Sequence, residues 1–150
     1  MTFSKSIETC FRKYASGVGR APRSEFWYFC LFVVLGNIFF AILEGIVRGA
    51  AHSNDPTIVK IISGLFNLGV AAPFIAAAVR RFHDMDRSGW WYLLSFVPVV
   101  GWILVLLWLA QKGTHDYNRW GSPTEPFPIQ TNPKAQTDTK QYSRMIRRRG

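Results

Sequence analysis

An all-α integral membrane protein is the fold class the sequence predicts, and three observations predict it. Charges nearly vanish over three stretches of about twenty residues each, the length that crosses a hydrocarbon core of roughly 30 Å. The chain is 49% hydrophobic and 15% aromatic, yet its mean hydropathy is only +0.07, because polar ends dilute the apolar stretches. Lysines and arginines gather at the margins of alternate connections, as they do on the cytoplasmic side of membrane proteins. The 150 residues suit one domain, with a membrane unit expected over 1–121 and a disordered basic tail over 122–150.

The leader comes first. "FSKSIETCFRKYASG" sets Phe3, Ile7, Cys10, Phe11 and Tyr14 at helical spacing, with Lys5, Glu8, Arg12 and Lys13 on the other side. This predicts a short amphipathic helix over 3–15 lying in the membrane interface, or else packed on a partner. Gly17, Gly19 and Pro22 end it. Two cysteines, Cys10 and Cys30, establish neither a disulfide framework nor a metal-ligand spacing.

Three spans follow. The first, over 26–47, carries Glu44 as its only charge and Trp27 as an interfacial anchor. It has no small-residue cleavage site after it and is expected to be a retained anchor. The second, over 58–79, has Lys60 near its start, which can snorkel, and Pro73, which a membrane helix tolerates. The third, over 90–110, has no charge; Trp90, Trp91 and Tyr92 at one end and Trp108 near the other form aromatic belts, and Pro98 with Gly101 predicts a kink.

Orientation follows from the basic residues. Lys5, Arg12, Lys13, Arg20 and Arg23 precede the first span, and Arg80, Arg81 and Arg87 lie in the 80–89 loop, against Arg48 and Lys60 at the margins of the first connection. A cytoplasmic N-terminus is therefore expected, and three spans place the C-terminus outside. The terminal "RMIRRRG" favours a cytoplasmic leaflet, which a re-entrant third segment turning at Pro98 to Gly101 would permit. Past Gly113 the composition turns to Pro, Thr, Asn and Gln, which cannot build a core. The net charge of +9 does not imply nucleic acid, since the basic residues flank apolar spans and no recognition helix lies between them.

The blocks "GRAPRSEFWYF", "RRFHDMDRSGWWYLL" and "GTHDYNRWG" carry most of the polar chemistry. In that order they resemble the domain-of-unknown-function 805 family of small bacterial inner-membrane proteins, over about residues 10 to 123. The resemblance rests on Gly19, Arg20, Arg23, Glu25, Phe26 and Trp27, then on Arg80, Arg81, His83, Asp84 and Ser88 to Trp91, and on Gly113, Asn118 and Gly121. Phe82 stands where the family usually has Leu, and Lys112 where it usually has Pro. The resemblance implies a multi-span helical protein of the bacterial inner membrane and supplies no activity, catalytic residue or cofactor.

His83, Asp84 and Asp86 admit three readings. As metal ligands they are too few and too close in sequence, with mainly Glu8 and Glu25 as further donors in the leader. As an enzyme site, a His beside an Asp would suit a general base, yet only Ser88 offers itself as a nucleophile. The structural reading is preferred: Arg20 and Arg23 meet Asp84 and Asp86 while Glu25 meets Arg80 or Arg81, clamping the first two spans at one membrane face. His83 then hydrogen-bonds within that cluster.

Within the bilayer Asn37 and Asn67 are expected to pair across the helices, and Ala41, Gly45 and Gly49 form a small-residue ridge that faces Gly64, Ala72 and Ala76. Two functions fit. The first is a non-enzymatic accessory, scaffold or interaction subunit without cofactor, whose partners are membrane lipids and a second copy or another membrane protein. The second is a small oligomeric transporter or channel for a neutral or weakly polar solute, which the absence of a mid-membrane charge disfavours.

Overall fold

The computed structural model describes residues 1–50 and 56–124. The chain runs α1 (Phe3–Arg12), α2 (Arg23–Ala50), α3 (Thr57–Asp84), a 3-10 helix (Gly89–Phe96) and α4 (Val100–Ala110). α2 and α3 have 28 residues each, about 42 Å of rise, enough to cross a hydrocarbon core. Their outer side chains stay uncovered: Leu35, Ile38, Phe39, Ile42 and Ile46 on α2, and Ile58, Ile61, Leu65 and Leu68 on α3, are all exposed. An apolar surface that extensive needs an apolar medium.

α2 and α3 pack where Gly36 removes a side chain, since a Cβ there would strike the Phe66 ring. Asn67 Nδ2 donates to Asn37 Oδ1 at 3.1 Å on that seam. The expected ridge is not used: a Cβ at Gly45, Gly49 or Gly64 would meet nothing within 4 Å. Aromatic bulk took its place, for the Phe66 ring meets Phe32 edge to face and Phe40 at a tilt on α2.

α1 packs on this pair. Phe3 meets Tyr28 and Phe11 meets Phe29 and Phe32 edge to face. The Tyr14 hydroxyl donates to the Gly69 carbonyl of α3 at 2.8 Å. Its innermost residues are Cys10 and Ser6, both fully buried; Ser6 was not on the expected apolar face, and its hydroxyl donates to the Thr2 and Ser24 carbonyls.

The third apolar run departs from expectation. Instead of one kinked span it is a hairpin of two short arms, the 3-10 helix and α4, each about 16 Å long by rise and so about half a hydrocarbon core. Val99 turns the chain with φ 62 and ψ −69, and the Val100 N–H donates to the Pro98 carbonyl at 2.8 Å, a γ-turn. Gly101 completes it, because a Cβ there would collide with the Leu94 carbonyl. The hairpin thus leaves α3 and returns to the same end of α3, where Arg81 Nε donates to the Leu109 carbonyl at 3.1 Å.

Val99 is β-branched and strained at positive φ. Val99→Gly should therefore raise the thermal unfolding midpoint in detergent, by the equivalent of about 1 kcal/mol. An unchanged or lower midpoint would argue against this turn.

Candidate functional site: a buried arginine and carboxylate cap

Where α3 ends, its last carbonyls lack intrahelical partners and must find others. Two segments distant in sequence supply them. The Ala21 N–H donates to the Arg80 carbonyl at 3.0 Å and the Thr114 N–H to the Asp84 carbonyl at 2.8 Å. Asn118 Nδ2 donates to the His83 carbonyl at 2.8 Å. The three sequence blocks that carry the polar chemistry therefore converge on one helix end.

Around this end lie Arg20, Glu25, Arg80, Arg81, His83 and Asp84, all buried. Arg20 Nε donates to Asp84 Oδ1 at 2.9 Å, and Arg81 Nη1 donates to Asp84 Oδ2. Thr124 Oγ1 also donates to Asp84 Oδ1, at 3.0 Å. Arg80 Nη1 pairs with Glu25 Oε1. Arg80 Nη2 is buried without a hydrogen-bond partner among the described residues.

Arg20 is the hub. Beyond Asp84 it donates to the carbonyls of Thr114, Asp116 at 2.9 Å and Gly121 at 3.3 Å. Arg81 reaches the carbonyls of Leu109 and Gln111 at the end of α4. Arg23 does not meet a carboxylate; its Nε donates to the Gln111 carbonyl at 2.9 Å. Asp86 likewise stands apart from Arg20 and Arg23, because it sits past the helix end at φ 56 and pairs at 3.3 Å with Arg119, both side chains half exposed.

His83 lies beyond the apolar run that ends at Val79. Its Nδ1 is 3.3 Å from the Gly19 carbonyl, and its ring stacks on Trp120 at 3.5 Å and 3°. Burial lowers its pKa from the ordinary histidine value, against the raising effect of the Gly19 and Gly17 backbone bonds. Gly19 holds φ 88, a conformation few other residues adopt without strain. Burial pushes the Cys10 thiol up to about 11, with Glu25 adding to the rise and the Arg80 charge opposing it.

The aromatic anchors divide. Trp90 is 79% exposed, whereas Trp91 meets Trp108 edge to face at 5.4 Å and Trp27 packs on Phe26. Arg87 lies over the Trp108 ring at 4.3 Å. Sequence reasoning missed Thr114, Trp120 and Thr124 as members of the cap, although Gly113, Asn118 and Gly121 flagged that block. Thr124 falls in the expected tail, so the folded unit runs at least to it; residues 51–55 and 125–150 lie outside the described residues.

Gly113 is part of the machinery, since a Cβ there would enter the Asp84 carboxylate. Gly113→Ala should lower stability by about 1–3 kcal/mol through overpacking, read as a lower midpoint of thermal aggregation in detergent. A midpoint matching the parent would place residue 113 away from Asp84.

The family described as "Protein of unknown function (DUF805)" matches residues 14–122. The inner membrane protein YhaI of Escherichia coli (strain K12) is 34% identical over 111 residues, covering 74% of this chain and 87% of the relative. The inner membrane protein YhaH of the same strain is 34% identical over 110 residues, covering 73% of this chain and 88% of the relative. No solved structure matches.

Proposed function

On the premise that the chain belongs to the DUF805 family, we propose that it is a non-enzymatic integral protein of the bacterial inner membrane, a scaffold or interaction subunit. The observation that supports this reading best is how fully the cap is committed to itself. Both oxygens of Asp84 are taken by Arg20, Arg81 and Thr124, and the Glu25 carboxylate receives Arg80. A general base needs a lone pair open to substrate, whereas these carboxylates hold helix ends together.

The arrangement proposed has α2 and α3 crossing the membrane and the hairpin entering and leaving on the face of the cap. By the distribution of basic residues that face is cytoplasmic. Single cysteines at Lys5, position 53 and Tyr117, in a chain with Cys10 and Cys30 replaced, test it. A membrane-impermeant maleimide applied to spheroplasts should label position 53 alone. Labelling at 117 together with 53 would restore three through-going spans.

The transporter reading has one observation in its favour, the exposed Asn37 and Asn67 pair in the apolar region. Proteoliposome swelling in glycerol or urea decides. Scaffolding predicts the protein-free rate; faster swelling that Asn67→Leu abolishes would replace this reading.

A further inference from the structure

An apolar groove runs along one side of α3, against the 3-10 helix. Its upper part, about 320 Å³, is lined by Ile75, Val79, His83, Trp90 and Trp120 among others. Its lower part, about 260 Å³, is lined by Val33, Asn67, Val70, Phe74 and Ala71. Ile75 and Tyr92 line both, so the two parts adjoin.

The dimensions and chemistry identify an occupant. From Asn67 to His83 the helix rises by about 24 Å, close to one leaflet of a bilayer with its headgroup zone, half of about 40–45 Å. The lower part has Asn67 as a polar wall residue, and basic charge lies only near the upper end. There Ser88 and His83 line the wall, Trp120 carries a buried Nε1 with no acceptor among the described residues, and the Arg119 guanidinium lies 5.4 Å from the Trp120 ring centre. Arg119 is 59% exposed at its side chain. A donor without an acceptor, beside a half-exposed cation whose pair with Asp86 is long at 3.3 Å, suits a phosphate, and the mainly apolar walls below suit hydrocarbon.

We infer that this groove holds one anionic phospholipid, with an acyl chain along Ile75 and Tyr92 and the headgroup phosphate at Trp120 and Arg119. The groove borders the cap, sharing His83 and Trp120 with it, but uses none of its paired arginines and carboxylates and does not depend on the cap's role as a scaffold. A molecule held this way tethers the hairpin to the leaflet that it enters.

The test uses the full chain in mild detergent, delipidated and offered phosphatidylglycerol or phosphatidylcholine, with bound lipid counted by native mass spectrometry. About one phosphatidylglycerol per chain should be retained in preference to phosphatidylcholine. Ile75→Trp, which fills the groove at an exposed position away from the buried cap, should abolish retention. Arg119→Gln should weaken phosphatidylglycerol about fivefold, the factor for one basic residue near an anionic surface, and leave phosphatidylcholine unchanged. Trp120→Phe keeps the ring against His83 and should weaken both. Retention unaffected by Ile75→Trp, or equal for the two lipids, overturns the assignment. A measurement without variants stands beside these: phosphatidylglycerol with a photoactivatable acyl chain should crosslink within 67–93, and crosslinks confined to the outer face of α2 would show a general lipid annulus and overturn it equally.

Discussion

Asp84→Asn is expected to destabilise the folded chain by about 3–5 kcal/mol, the cost of leaving buried charges unpaired. Asp84 is 2% exposed and holds Arg20 and Arg81 at the same time. An amide can offer one oxygen, but its NH2 must then face the other guanidinium, so donor meets donor. Against a typical total of about 5–15 kcal/mol, such a loss removes much of the folded population. Thermal unfolding and recovery of monodisperse protein in detergent measure it. Asp86→Asn is the control: its half-exposed pair with Arg119 should matter by no more than about 1 kcal/mol. Equal losses for the two variants would sink the cap as the centre of stability. Exchanging Arg20 with Asp84 should not rescue either, because an arginine at 84 would then confront Arg81.

The second large effect is a coupling. Glu25→Met should strand Arg80, whose Nη2 already lacks a partner among the described residues, and Arg80→Met should strand Glu25; each is expected to cost about 3–5 kcal/mol. The double variant should recover most of that loss, since apolar groups of similar volume often replace a buried ion pair without penalty. The double-mutant cycle reads the difference directly. Additive losses would mean that Glu25 and Arg80 act through their neighbours, such as Cys10 or Ala76, and not through each other.

Much of this was legible in the sequence, for identifiable reasons. α2 and α3 announce themselves because apolar runs of about their length have no other common use. The contacts of Arg20 with Asp84 and of Glu25 with Arg80 follow from placing the leader and the 80–89 loop on one face, and Asn37 with Asn67 from matching depth. The hairpin was harder. Its apolar run is as long as a span, and hydropathy does not distinguish a helix that crosses from one that turns back; only Pro98 and Gly101 hinted at it, and the decisive residue, Val99, is one whose preference is against the turn. Thr114 and Asn118 act by capping carbonyls, and Thr124 by donating to the Asp84 carboxylate, partners that no sequence pattern locates. Arg23 was assigned a carboxylate because arginines are read by charge, whereas this one serves a helix end.

That preference of arginine for helix ends changes the electrical account of the cap. Arg20, Arg80 and Arg81 bring three positive charges to Glu25 and Asp84, so the paired side chains alone leave an excess of one in a buried place. The carboxyl ends of α3 and α4 both terminate there, and each carries the equivalent of roughly half a negative charge from its aligned peptide dipoles. Two such ends oppose that excess, while the amino end of α2, which begins at Arg23 in the same cap, adds to it. The hairpin is therefore more than a wedge of apolar side chains: its returning arm adds counter-charge that is in place only when α4 has arrived. Before that step α3 would hold adjacent arginines in a water-poor site without that counter-charge. Moving the end of α4 away by one turn would withdraw it again, because the dipole's influence falls off within the last turn, even with every apolar contact of the hairpin kept.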